Sequence, residues 1–295
     1  MRKRGWNWLM LIMAVLLLLP VEARADIGPK PSVSVCFEAM GGETCYATLL
    51  SKTESTGPYS AWDGVEEYVV DDGLPEEVWA AFAAYEDPDG FYFLQCAWLV
   101  SQSHELVWSY YPPQEFKILL YYPDTGTFVT SEAYERYAFD SYFTVNVFGV
   151  EPQEPGLMPL LILARKSYDM TWELISLCAR VALTILVECG LALLFGFREK
   201  GQFRVIFVVN VVTQIVLNVL LNLVNYSQGA LSFLLCYLLF ELIVFVLEAA
   251  VFSVLLPRAG GKEVPVRKCV LYALLANILS YWTGYMVAVW VPGIF

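Results

Sequence analysis

The sequence predicts two unlike halves: an α+β domain outside the cytoplasm, then an all-α bundle of four membrane-spanning helices. Three observations predict this. The 295-residue chain is 58% hydrophobic, above the roughly 45–50% of soluble domains. Its charge is uneven: residues 26–171 hold 23 acidic and 6 basic side chains, whereas residues 172–295 hold 6 acidic and 8 basic. The second half also contains four apolar runs, each long enough at about 1.5 Å per residue to cross a hydrocarbon core of ~30 Å.

The first 25 residues carry the pattern of an export signal. Arg2, Lys3 and Arg4 precede the apolar run Leu9 to Leu19, and Ala23-Arg24-Ala25 supplies a small-x-small cleavage pattern, so Asp26 is the expected mature start. An uncleaved anchor is the rival reading, and both place the next domain outside the cytoplasm.

Residues 26–155 are expected to form the outer domain, an antiparallel sheet with one helix on a face. Ser32 to Glu38 alternates polar and apolar, as a half-buried strand does. Thr44 to Ser51, Phe91 to Val100, Glu105 to Tyr111, Glu115 to Tyr122, Phe128 to Ser131 and Ala138 to Val147 are further strand candidates. Pro75 opens the helix: Val78, Phe82 and Tyr85 share a face, and Glu76 and Glu77 suit the first turn. Trp62, Trp79, Trp98 and Trp108 suit a sheet core, with stacking on a ligand as the minor alternative. Glu86-Asp87-Pro88-Asp89-Gly90 is acidic but lacks the spacing of a calcium-binding EF-hand loop, so it reads as a turn.

Residues 156–171 are a juxtamembrane connector, in which Leu157 to Ala164 suits either a final strand or a segment at the membrane surface. Residues 172–295 are the membrane domain, with spans at Trp172–Phe197, Phe203–Tyr226, Ala230–Leu256 and Cys269–Val291. Tyr226-Ser227-Gln228-Gly229 is the turn between the middle two. Arg198, Lys200 and Arg204 follow the first span, and Arg258, Lys262, Arg267 and Lys268 follow the third. Positive loops stay inside. The expectation is a multi-pass protein of the cell membrane with its N-terminal domain and C-terminal Phe295 outside.

The spans are not uniformly greasy. Asn210, Gln214, Asn218 and Asn222 step by four along one helical stripe, and Glu241 and Glu248, seven apart, share another. Polar groups facing lipid are costly, so these should face the interior. Counted from the cytoplasmic ends, Glu188, Asn210, Glu248 and Asn277 fall at one depth, about 10–14 Å in. Arg180, Asn218 and Glu241 fall at a second, about 22–26 Å in, with Arg180 and Glu241 as the expected ion pair. Three carboxylates and one guanidinium leave excess negative charge. Protonation, a bound cation held by carboxylate and amide oxygens, or solvation by water or a partner would each resolve it. The same groups also suit plain helix–helix adhesion.

Other chemistries find little support. His104 is the only histidine, and no Gly-x-Ser-x-Gly, phosphate-binding loop or His-Glu-x-x-His motif occurs. No catalytic residue and no cofactor is expected. The acidic outer half argues against nucleic acid as a partner. Without a Cys-x-x-Cys pair zinc has no basis, although Cys36 and Cys45 could staple a hairpin in an exported domain. Buried thiols are the alternative.

Several phrases resemble those of uncharacterised exported multi-pass membrane proteins of Gram-positive-type bacteria. They are Asp26-Ile27-Gly28-Pro29-Lys30-Pro31-Ser32, Thr48-Leu49-Leu50-Ser51 with Ser55-Thr56-Gly57-Pro58, Tyr137-Ala138-Phe139-Asp140-Ser141-Tyr142, and Asn210-x-x-Thr213-Gln214-x-x-Leu217-Asn218. The resemblance implies a signal peptide, an outer domain and a four-helix module, and no assigned activity. The sequence-based expectation is therefore a non-enzymatic membrane protein. Its outer domain would bind a ligand or partner, and its polar-cored bundle would contact the bilayer and other membrane proteins within a larger assembly. The alternative is a cation- or proton-coupled permease using the intramembrane glutamates.

Overall fold

The computed structural model describes residues 28–62, 74–148, 160–261 and 263–290. The export signal over 1–25, the start of the outer domain at Asp26, the loop 151–156, Lys262 and the C-terminal Phe295 lie outside the described residues.

An N-terminal mixed-sheet domain is followed by long apolar helices. The first sheet has the order β11 (Ala164–Lys166), β9 (Asp140–Asn146), β1 (Ser32–Glu38), β5 (Glu105–Trp108). The second has the order β10 (Leu160–Ile162), β7 (Thr127–Ser131), β6 (Glu115–Tyr122), β2 (Tyr46–Ser51), β3 (Tyr92–Phe93). Two short strands, β4 (Trp98–Leu99) and β8 (Tyr134–Glu135), pair with β2 and β6.

Two features correct the expected single antiparallel sheet. There are two sheets, and each contains a parallel pair. β1 runs parallel to β9 from Ser32↔Asp140 to Glu38↔Asn146, and β10 runs parallel to β7. Parallel neighbours need a long crossover rather than a tight turn, so no local signal announces them. The expected strand Phe91 to Val100 is also broken, into β3, β4 and a one-turn helix α2 (Val100–Ser103) that ends on His104 with φ 55°. That lone histidine is exposed. Of the two readings of 157–164, the strand holds for Leu160–Ile162.

β6 explains the layering. Phe116, Ile118, Leu120 and Tyr122 pack with Val33, Val35, Phe37, Phe143 and Val145 of the first sheet. Leu119 points the other way, against Val78 and Phe82 of α1 (Glu76–Ala83). A strand covered on both faces reads as a continuous apolar run rather than an alternating one. Burial at about 25 cal/mol per Å² of apolar surface drives both layers. Among the tryptophans, Trp108 is wholly buried, Trp79 and Trp98 are half-buried and Trp62 is exposed.

The possible Cys36–Cys45 staple is not formed, since both thiols are free. Cys36 sits on the exposed face of β1, whereas Cys45 is buried in the core between the sheets. Burial pushes the Cys45 thiol up to about 12.

Three helical segments follow among the described residues: α3 (Met170–Leu194), α4 (Lys200–Gly260) and α5 (Val266–Trp290). Two of them, α3 and α4, are long and apolar enough to cross a membrane. The 61-residue α4 is broken at Gly229, with φ 79° and ψ 179°, within the expected turn. Its two arms fold back antiparallel. Gln202 reaches the Leu256 carbonyl at 3.4 Å, and Thr213 reaches Glu248 at 2.7 Å.

Candidate functional site

The helices are inverted relative to a water-soluble core. Along the first arm of α4, Gln202, Asn210, Gln214 and Asn218 are buried, while Val208, Val212, Val216 and Leu220 are exposed. The fourfold step of the amides puts them on one face, and that face points inward. In water such an apolar exterior would drive association.

The inward groups come from all three helical segments, with α4 contributing from both sides of its break. Glu188 lies on α3, Asn210 and Thr213 on the first arm of α4, Glu248 on its second arm and Asn277 on α5. Glu188, Asn210 and Glu248 are wholly inaccessible, and Asn277 is 6% exposed. Two donors hold Glu248: Asn277 Nδ2 at 2.7 Å from Oε2, and Thr213 Oγ1 at 2.7 Å from Oε1. Asn277 Nδ2 also donates to the Ala273 carbonyl at 2.9 Å. Both donor directions are thereby used, the amide orientation is fixed, and Oδ1 is left unbonded.

Glu188 differs. Both of its carboxylate oxygens lack a hydrogen-bond partner, as do both amide atoms of Asn210. Glu188 lies within electrostatic reach of Glu248 and Glu241, and the Asn210 amide, without a close partner of its own, is placed to donate to its carboxylate. Tyr272 of α5 braces the site by donating to the Glu188 backbone carbonyl at 3.1 Å. Most buried polar groups in proteins are satisfied, so this cluster is an exception that needs a cause.

The expected second layer does not assemble as a unit. Arg180 is buried and donates to Asn222 Oδ1 at 3.1 Å, not to Glu241. Glu241 is half-buried beside Tyr237, one turn away on the same arm, with Oε2 unbonded. The depth count placed Arg180 and Glu241 level but could not fix helix rotation, and rotation points Arg180 at the amide stripe. Asn218 turns back on its own helix, donating to the Gln214 carbonyl at 2.8 Å. Sequence reasoning passed over Gln202, although it sits eight residues before Asn210 in the same fourfold step.

The outer domain meets the bundle at the α4 break. Phe139 N–H donates to the Tyr226 carbonyl at 2.8 Å. The Phe139 ring covers Gly229, and a Cβ there would lie 2.5 Å from it. Tyr168 packs edge-on against Tyr226 at 5.3 Å. The opposite end of the bundle carries the basic connectors, with Lys268 Nζ 4.9 Å above the Phe197 ring.

The outer domain holds a second buried ionic group. Lys117, on the helix-facing side of β6, is 4% exposed. Its ammonium donates to Asp87 at 3.0 Å and to Asp89. The acidic turn is thus a lysine clamp. Lys117 and Asp87 are thirty positions apart and on different elements, so their pairing has no local signature.

No family model, curated protein or solved structure matches this chain. Among the described residues, no group of three His, Cys, Asp or Glu side chains is arranged to hold a metal ion.

Proposed function

We propose that the chain is a non-enzymatic multi-pass membrane protein, related to the exported proteins its phrases resemble. Its outer domain binds a ligand or partner, and its four-rod bundle spans the cell membrane and associates with other membrane proteins in a larger assembly. The observation that carries this reading is the seat of the outer domain on the α4 break. A backbone hydrogen bond from Phe139 to Tyr226 and a ring stacked over Gly229 join the two halves directly. An event on the sheet domain therefore has a physical route into the helices. The polarity of the bundle supports the topology: the basic connectors lie at the end opposite that seat, as a cytoplasmic end requires.

A second reading, a cation- or proton-coupled permease, is favoured by the unbonded Glu188 carboxylate in the interior. Intramembrane carboxylates commonly mark ion or proton pathways. Reconstitution in liposomes separates the two. The proposal expects no ion or proton flux, together with a stoichiometric membrane-protein partner that is lost when residues 28–148 are removed. Flux in the wild type that Glu248→Gln abolishes would replace it with the permease.

A further inference from the structure

We infer that the bundle interior contains a binding site for a hard monovalent cation of the sodium class, built from Glu188, Asn210, Glu248 and Asn277. The argument is an inventory of acceptors. Glu188 Oε1, Glu188 Oε2, Asn210 Oδ1 and Asn277 Oδ1 are all unbonded, and their residues are at most 6% exposed. Unbonded buried acceptors are destabilising, more so when charged. Four from neighbouring positions form a set with a shared remedy.

Three remedies compete. A proton on Glu188 supplies one donor and the Asn210 amide a second, which leaves the amide oxygens bare. A water molecule supplies two donors and leaves the carboxylate charge uncompensated. A hard cation accepts several oxygens at once, and carboxylate and amide oxygens are its preferred ligands. Among the described residues the nearest cation on α3, Arg180, stands eight residues before Glu188, about 12 Å along the axis, and donates to Asn222.

The oxygen set also selects the charge. Glu248 is engaged by Thr213 and Asn277, whereas Glu188 has only the Asn210 amide beside it, and the remaining oxygens are neutral amides. Hard divalent ions favour sites richer in carboxylate, and among the described residues no three His, Cys, Asp or Glu side chains are grouped to hold one. The unbonded oxygens come from α3, the first arm of α4 and α5, and Glu248 on the second arm holds Asn277 in place, so the ion would tie these segments together.

This site depends neither on what the outer domain binds nor on transport. A liposome assay without flux leaves it standing, and loss of the outer-domain partner does not touch it. The test uses the full chain in detergent or nanodiscs, equilibrated in N-methylglucamine chloride. Sodium chloride is titrated at constant ionic strength, reading radioactive sodium binding and the thermal midpoint. Saturable binding of one ion per chain is expected, with a parallel rise in the midpoint. Glu188→Gln should remove both, and the exposed-loop control Glu199→Gln should remove neither. If Glu188→Gln fails to fold, Asn210→Ala should weaken sodium binding about tenfold or more, as loss of a supporting group at a metal site does. Absence of saturable sodium binding in the wild type would overturn the inference. So would binding of equal strength in Glu188→Gln.

Discussion

The chain buries charge in two places and treats it in opposite ways. In the outer domain, Lys117 enters the space between sheet and helix, and Asp87 and Asp89 close on it. In the bundle, Glu188 is buried as completely with only the Asn210 amide beside it and, among the described residues, no cation of the chain against it. A compensated buried ion pair is a structural element whose breakage is expensive. An uncompensated one is a liability unless something absent from the chain completes it. The contrast separates architecture from function: the first group looks inward to its own fold, the second outward to a ligand.

The largest effect should come from breaking the compensated pair. Lys117→Met leaves the Asp87 carboxylate, whose side chain is wholly inaccessible, with only the Asp89 and Phe91 backbone N–H groups as donors and no counter-charge, and should cost about 3 kcal/mol. Urea unfolding followed by outer-domain tryptophan fluorescence would show it. The double change with Asp87→Asn should recover part of the loss.

Next comes the junction. Gly229 occupies a backbone region that only glycine enters readily, so Gly229→Ala should cost about 1–3 kcal/mol. The Phe139 ring adds a clash. Pairing it with Phe139→Ala should relieve the clash but not the backbone strain, giving a non-additive cycle in thermal unfolding.

Acid should then weaken the clamp and not the seat. The hydrogen bond from Lys117, followed by its charge, holds the Asp89 carboxyl below its ordinary 3.8. A depressed carboxyl stabilises the fold above its unfolded value and loses that contribution as pH falls through its folded value. At the alkaline end, burial pulls the Lys117 ammonium down, but its bonds to Asp89 and Asp87 outweigh this and raise it above 10.5. Its contribution is full below that pH and lost as pH rises further. The outer-domain melting midpoint should therefore hold from about pH 5 to pH 10 and fall at both extremes. Lys117→Met should flatten the profile.

The smallest effect is chemical. A membrane-impermeant maleimide should modify Cys36 in intact cells and leave Cys45 untouched until denaturation. Peptide mass spectrometry of the unreduced protein reads this, and a Cys36–Cys45 crosslinked peptide would contradict it.

The parts legible in the sequence were those written in short-range pattern. The alternation of Ser32 to Glu38, the run Glu115 to Tyr122, the helix after Pro75 and the break at Gly229 all follow from local periodicity or a turn residue. The fourfold step from Asn210 to Asn218 also gave the inward stripe. What stayed hidden depended on long-range pairing or rotation. Ser32 and Asp140 are register partners more than one hundred residues apart. Lys117 meets Asp87 only because α1 packs over β6, and Arg180 meets Asn222 rather than Glu241 because depth along a helix does not fix azimuth.

Hydrogen exchange read by mass spectrometry on Lys117→Met and Glu188→Gln, both in sodium-free buffer, puts the contrast to its most direct test. Lys117→Met should lose protection across β6 and α1. Glu188→Gln should keep or gain protection across α3 and both arms of α4, because it removes a charge that the chain itself does not neutralise. If Glu188→Gln loses protection there as heavily as Lys117→Met does in the sheet, then the carboxylate is an ordinary structural partner and the two buried sites are the same kind of object.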